Sequence, residues 1–370
     1  MLPAAPPGAL PPIDFFPVQS GTDISKRAFL GSTTDTQTVP ILPTSPNFAA
    51  FNPGGQRPTA FASVTNGSDG WVRVFDFAAG NERFRFRPFG DFAGGTRLTT
   101  ADLTGDGIPD IIAVPGAGGG PIVRVFDGNT GAPIRSWLAF DPDFRGGLQV
   151  AAADVTGDGV ADVIVTPDGG GGPIVRVFDG LTNAMVANFF ALDPGFRGGL
   201  RIATGDVNHD GTADLIVTAG AGGGPRVAVY DGTSLTSNPT RLAGDFFTFA
   251  PDLRSGSWVT SGDVDGDGFA DIIVGSGDGG APRVVVYSGR ILTTGGGARE
   301  IASFFAGDPA TRGGARVLAA DLDGDGKPEL LSTGGAGLLP IVYIFDPRTG
   351  LQRDAFYGFP TDSIGGAYLG

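Results

Sequence analysis

The chain of 370 residues contains no cysteine, so disulfides, thiolate metal sites and cysteine nucleophiles are excluded. It has a single histidine, His209, and any mechanism that needs two is excluded with it. Lysine is nearly absent: Lys26 and Lys327 stand alone, and the other basic residues are Arg. The 25 basic side chains are outnumbered by 39 acidic ones, giving a net charge of −14 and a pI near 4.4. A nucleic-acid partner is therefore not expected, because phosphate binding needs a basic surface. No apolar run approaches the roughly 20 residues that span a bilayer, so membrane insertion is not expected either. The first residues, Met1-Leu2-Pro3-Ala4-Ala5-Pro6-Pro7, lack a basic start and an apolar stretch and do not read as a signal peptide. No segment sustains a 3.6-residue period, so helix should be scarce.

Glycine and proline are abundant instead, with 64 and 29 residues, a quarter of the chain. Without order, that share would suggest disorder. The 41% hydrophobic and 10% aromatic content argues for a buried core. Order is present as a repeat. Asp154-Val155-Thr156-Gly157-Asp158-Gly159-Val160-Ala161-Asp162 has counterparts starting at Asp102, Asp206, Asp263 and Asp321, spaced by 52 to 58 residues. A second marker, Val123-Arg124-Val125-Phe126-Asp127, echoes at Val72, Val175, Val227, Val284 and Val342. A third is a Gly-Gly pair or near-pair, as at Gly146-Gly147 and Gly198-Gly199. Each unit reads as four short β-branched and aromatic strands bounded by Gly, Pro, Asp and Asn. A period near 50 with four strands per unit indicates a β-propeller blade.

The acidic loop occurs five times and the other two markers six times. The chain ends on Gly365-Gly366-Ala367-Tyr368-Leu369-Gly370, the start of a first strand, and second, third and fourth strands begin at Ala60. Joined, they complete one blade at the place where a sixth acidic loop would lie. The expectation is an all-β, six-bladed propeller of four-stranded blades over 56–370, its ring closed by a C-terminal strand. The alternative is seven blades, since Phe48-Ala49-Ala50-Phe51-Asn52-Pro53 echoes Phe189 to Pro194. Residues 1–55, with Pro clusters and scattered Ser and Thr, read as an extended arm or linker.

Within each loop, acids fall at positions 1, 5 and 9, with Thr, Asn or Asp at 3. Loop one offers Asp102, Thr104, Asp106 and Asp110, and loop two Asp154, Thr156, Asp158 and Asp162. Loop three offers Asp206, Asn208, Asp210 and Asp214, loop four Asp263, Asp265, Asp267 and Asp271, and loop five Asp321, Asp323, Asp325 and Glu329. Position 7 can supply only a backbone carbonyl, from Ile108, Val160, Thr212, Phe269 or Lys327. Position 6 is always Gly, which permits a sharp turn. Hard oxygens converging from one short loop suit Ca²⁺, up to five ions here, and suit octahedral Mg²⁺ less well. An EF-hand would need a bidentate Glu at position 12, where this chain has Ala113, Val165, Val217, Val274 and Ser332. Five ions would offset most of the −14 charge, so the acidity belongs to ion sites rather than to a surface for a basic partner. The bland alternative is a set of Asp-Gly turns in a soluble all-β protein; five copies with Asp at 1 and 5 each time weigh against it.

These loops resemble those of FG-GAP repeat propellers, found in integrin α-chains and bacterial surface proteins with FG-GAP or VCBS-type repeats. The likeness covers about residues 57–370. Phe144-Arg145-Gly146-Gly147 stands where the family has Phe-Gly, and Gly116-Ala117-Gly118-Gly119-Gly120-Pro121 where it has Gly-Ala-Pro. The resemblance implies Ca²⁺ in each loop and a role in adhesion or extracellular recognition.

The glycine turns before each third strand are not phosphate loops, because those precede a helix. Arg145, Arg197, Arg254 and Arg312 recur at the blade corners, where bracing against Asp141, Asp193, Asp252 or Asp308 competes with anion binding. Trp137 and Trp258 are expected between blades, and His209 is expected to point outward without a role. An enzyme, for instance a carbohydrate-active one, would need carboxylates not committed to metal, and no unrepeated acid cluster stands out. The reading is a non-catalytic, monomeric, calcium-binding propeller with an unknown protein or glycan ligand. Sites with three carboxylates suit extracellular Ca²⁺ levels, so a secreted or cell-surface location is expected.

Overall fold

The computed structural model describes residues 61–65, 70–76, 81–335, 337–358 and 367–370. Residues 1–55, expected as an arm, and Phe48 to Pro53, read as a remnant seventh blade, lie outside the described residues.

Each repeat folds into a twisted antiparallel meander. The first blade comprises Thr96–Ala101, Asp110–Pro115, Ile122–Phe126 and Pro133–Leu138. The second comprises Leu148–Ala153, Asp162–Pro167, Ile174–Phe178 and Met185–Phe190. The burial gradient follows the residue types. Second strands are buried at every position, whereas fourth strands alternate exposed and half-buried residues. A strand buried on both faces must be a continuous apolar run, and Asp110-Ile111-Ile112-Ala113-Val114 is one.

Apolar contacts tie neighbouring blades together. Ile112 and Val114 of the first blade share a cluster with Val163 and Val165 of the second. Ile164 joins Leu215 and Val217 of the third. Every one of these side chains is at most 1% exposed, and burying each stabilises the fold by about 1.5–3 kcal/mol. The Gly-Gly corner lets the blades approach. A Cβ on Gly146 would stand 1.8 Å from the Gly169 carbonyl oxygen, and Gly147 has φ +78°. The closeness is used: Gly118 N–H donates to Arg145 O and Gly170 N–H to Arg197 O, from one blade's glycine turn to the next blade's corner.

The third blade departs from the pattern, because its fourth strand is only Phe246–Phe247. A 3-10 turn at Gly232–Ser234 and a bridge between Tyr230 and Arg241 occupy the inserted residues. The fourth blade carries a short helix at Gly289–Ile291 at the equivalent place.

The expectation of a six-bladed propeller, or alternatively a seven-bladed one, needs correction. Five blades of four strands, not six, are each cut from one continuous stretch of chain and carry an acidic loop. The remaining sheet is a composite of the two ends, Ala367–Leu369 beside Phe61–Thr65, Val72–Asp76 and Asn81–Phe86. Ser63 pairs with Leu369 and Thr65 with Ala367. Its inner strand is three residues long, against five or six in the repeat blades, so it is a seam rather than another copy. The inner strands surround a central axis, with Ala367–Leu369 lying between Arg316–Ala320 and Thr96–Ala101.

Candidate metal centres

The acidic loops join first to second strands and all lie at one end of the axis. Their shape comes from position 1. In loop four, Asp263 accepts hydrogen bonds from Gly266 N–H (2.7 Å), Asp267 N–H (3.0 Å) and Gly268 N–H (2.8 Å). The position-6 glycine donates to the position-1 carboxylate in every loop: Gly107 to Asp102, Gly159 to Asp154, Gly211 to Asp206 and Gly326 to Asp321, at 2.8–2.9 Å. In loop one the Gly107 amide, helped by those of Gly105, Thr104 and Asp106, holds the Asp102 carboxyl below the usual carboxylate range. Position 5 accepts from the position-7 amide, as in Ile108 to Asp106, Val160 to Asp158, Thr212 to Asp210, Phe269 to Asp267 and Lys327 to Asp325. Gly105, Gly157, Gly266 and Gly324 fill position 4 with positive φ; His209 does so in loop three at φ +61°.

Position 9 opens the second strand and is buried in all five blades. It latches two loops together. Asp214 accepts from Val207 N–H (2.9 Å) and Gly232 N–H (2.8 Å), and Asp271 from Val264 and Gly289, both at 3.1 Å. Asp110 and Asp162 follow the same pattern with Leu103 and Gly128, and with Val155 and Gly180. Burial raises the carboxyls of Asp110 and Asp162 above their ordinary value. It pushes those of Asp214, Asp271 and Glu329 up to about 7.

Three loops draw their acids together. Asp263, Asp265 and Asp271 in loop four, and Asp321, Asp323 and Asp325 in loop five, each present ligand oxygens within 4.8 Å of one another. In loop three Asp210 and Asp214 are joined by Asp231, from the end of the third strand, in place of Asp206. The acids of loops one and two form no such group among the described residues. At position 3, Thr156 Oγ1 donates to Asp162 (3.3 Å) and Asn208 Nδ2 to Asp210 (2.8 Å). Buried carboxyls raised towards neutrality, with further carboxylates within ligand distance and oxygen donors only, fit a hard divalent cation.

Sequence reasoning passed over Arg353, the reach of the Lys327 side chain and the role of His209. Arg353, on the fourth strand of the last blade, lies 2.9 Å from Glu329 and 3.5 Å from Asp323, so loop five has its own cation. Lys327 leans away to loop four, where a Cβ on Gly266 would meet its Nζ at 3.4 Å. His209 is not idle: its Nδ1 lies 2.6 Å from Gly268 O, and its ring packs on Phe269 at 5.1 Å, linking loops three and four. Nothing within one repeat signals the contacts that Lys327 and His209 make with loop four.

The corner arginines brace their corners through carbonyls rather than the acids expected. Arg145 donates to Pro142 O and Phe144 O, Arg197 to Pro194 O and Phe196 O, and Arg312 to Pro309 O and Thr311 O. Trp137 packs on Phe178 of the next blade at 5.8 Å. Trp258, expected between blades, instead lines a cavity on the axis.

Three solved structures are similar in fold. A lectin from Agrocybe aegerita, specific for non-reducing terminal N-acetylglucosamine, is 22% identical over 83% of this chain and 79% of that one, with a TM-score of 0.48. A protein of unknown function from Bacteroides caccae is 11% identical over 84% and 99%, with a TM-score of 0.50. A rhamnogalacturonan lyase from Bacillus licheniformis is 16% identical over 78% of this chain and 59% of that one, with a TM-score of 0.43. The profile of the FG-GAP-like repeat matches residues 102–165, 206–274 and 263–332, which together make up just over half of the chain. With the acidic loop of each blade inside or beside these matches, the chain belongs to the FG-GAP-like repeat family.

Proposed function

We propose that this propeller is a calcium-binding, non-catalytic recognition module that works outside the cell or at its surface. The carrying observation is the set of buried position-9 carboxylates in loops three and four, raised to about 7 and standing with two further acids within 4.8 Å. A bound Ca²⁺ would be held by the acids at positions 1, 3, 5 and 9 and the position-7 carbonyl. It supplies positive charge where several carboxylates meet, and so holds the first-to-second strand connection in its turn. Most other described acids are engaged. Asp127 and Asp179 cap their own turns through Thr130 and Thr182, and Asp168 is shared by two arginines. That engagement favours binding over carboxylate catalysis.

Calorimetric titration of the chelated protein with Ca²⁺ tests the reading. Saturable binding at 10⁻⁴ to 10⁻³ M, the range of extracellular modules, is the expected result. Absence of heat up to 10 mM Ca²⁺ would overturn it.

A further inference from the structure

At the end of the axis opposite the acidic loops, six residues converge: Arg97, Gln149, Arg201, Trp258, Arg316 and Tyr368. Each is the equivalent residue of its inner strand, near the glycine turns. They ring the mouth of a cavity of about 290 Å³. Arginine occupies alternate positions, so three guanidiniums face one small volume.

These arginines are held in place. Arg97 and Arg316 lie 3.5 and 3.8 Å from the centre of the Tyr368 ring, and Arg201 lies 4.5 Å from that of Trp258. Asp168 bridges Arg97 (2.9 Å) and Arg201 (2.6 Å), while Asp278 reaches Arg316 at 3.3 Å. Burial opposes ionisation of Asp168, yet the Arg201 and Arg97 charges keep its carboxyl below the usual range. Three positive groups thus meet two negative ones, and the Asp278 side chain is 51% exposed, where water weakens its hold.

The mouth also holds unmet donors. Arg97 Nε and Nη1 and Arg316 Nε have no hydrogen-bond partner among the described residues, although Arg97 is 8% exposed and Arg316 2%. Buried donors without acceptors are costly, and their gathering at one wall with excess positive charge specifies an anionic acceptor. Below the mouth, the wall carries the hydroxyl residues Thr99, Thr204, Thr260 and Ser261. The volume is enough for one sugar ring.

We propose that this mouth binds a single-ring sugar acid, its carboxylate set among Arg97, Arg201 and Arg316 and its hydroxyls among the threonines and serine below. The proposal gives the recognition reading a ligand class but does not use the metal loops, which lie at the other end.

Titration of the calcium-loaded full chain with sodium glucuronate, followed by calorimetry and by Trp fluorescence, tests it, with glucose as the neutral control. The expected result is one glucuronate site, with glucose at least tenfold weaker. Asp278→Asn, which removes the exposed counter-charge and leaves the buried Arg316 charge for the ligand to pair, should tighten glucuronate several-fold. Arg316→Met should weaken it at least tenfold, and Arg145→Ala, a corner brace outside the cavity, should not change it. No glucuronate binding up to 10 mM, equal binding of glucose, or an Asp278→Asn variant that binds no better would overturn the proposal. Calcium binding measured on the same sample separates this failure from failure of the metal reading.

Discussion

At the scale of single residues, position 9 decides most. Asp271 is both a latch between backbone amides and one acid of the loop-four group. Asp271→Asn should cost about 1–3 kcal/mol even without metal, because the amide cannot replace both acceptors. It should also remove the tightest calcium phase in calorimetry, whereas Asp102→Asn in loop one should leave that phase intact. The pH response follows from the carboxyls pushed up to about 7 at Asp214, Asp271 and Glu329. A group with a raised folded-state value binds its proton more tightly folded than unfolded. Its contribution is full below the ordinary carboxylate range and is lost as pH rises through about 7. Chelated protein should therefore melt at a higher temperature at pH 5 than at pH 7.5. Calcium needs the ionised form, so the loaded protein should show the reverse order in the same thermal scans. Arg353 sets loop five apart from loop four despite equal numbers of acids. Arg353→Ala frees Glu329 and Asp323 and should tighten loop five by several-fold in calcium titrations.

At the scale of elements, the blades are coupled through second strands and glycine corners. Ile164 is fully buried against the third blade, and Ile164→Ala should cost about 2–5 kcal/mol in denaturant unfolding. Gly199 combines φ +70° with a site 1.9 Å from the Asp168 carbonyl oxygen, so Gly199→Ala should destabilise as well. Much of this was legible. Strand order within a blade, the Gly-Gly requirement and the acidic loops all follow from residues that recur, since recurrence separates a structural demand from chance. The two-residue strand Phe246–Phe247 was not legible as such, because the inserted residues 232–245 carry no repeat marker. The axial ring was missed for the opposite reason to the loops. Its residues are Arg, Gln, Arg, Trp, Arg and Tyr at equivalent positions, so a search for recurrence passes over them. Trp258 is intelligible only once the inner strands are placed around one axis. Arg353 and Lys327 act on loops through side chains whose reach the local sequence does not record.

At the scale of the whole molecule, the proposed calcium sites and ring closure would divide the stability between them. An ion bound only to the folded state adds about 1.4 kcal/mol per site at tenfold saturation. Several such sites approach the ~5–15 kcal/mol that holds a typical domain together. The composite sheet lacks an acidic loop and closes on a three-residue strand, so it should open first whether or not calcium is present. The central claim is that the acidic loops are calcium sites, and hydrogen exchange with calcium and with EDTA tests it most directly. The amides of residues 263–271 and 206–214 should exchange much faster once calcium is removed. Exchange in those residues that is the same in calcium and in EDTA would contradict the claim and leave the loops as Asp-Gly turns.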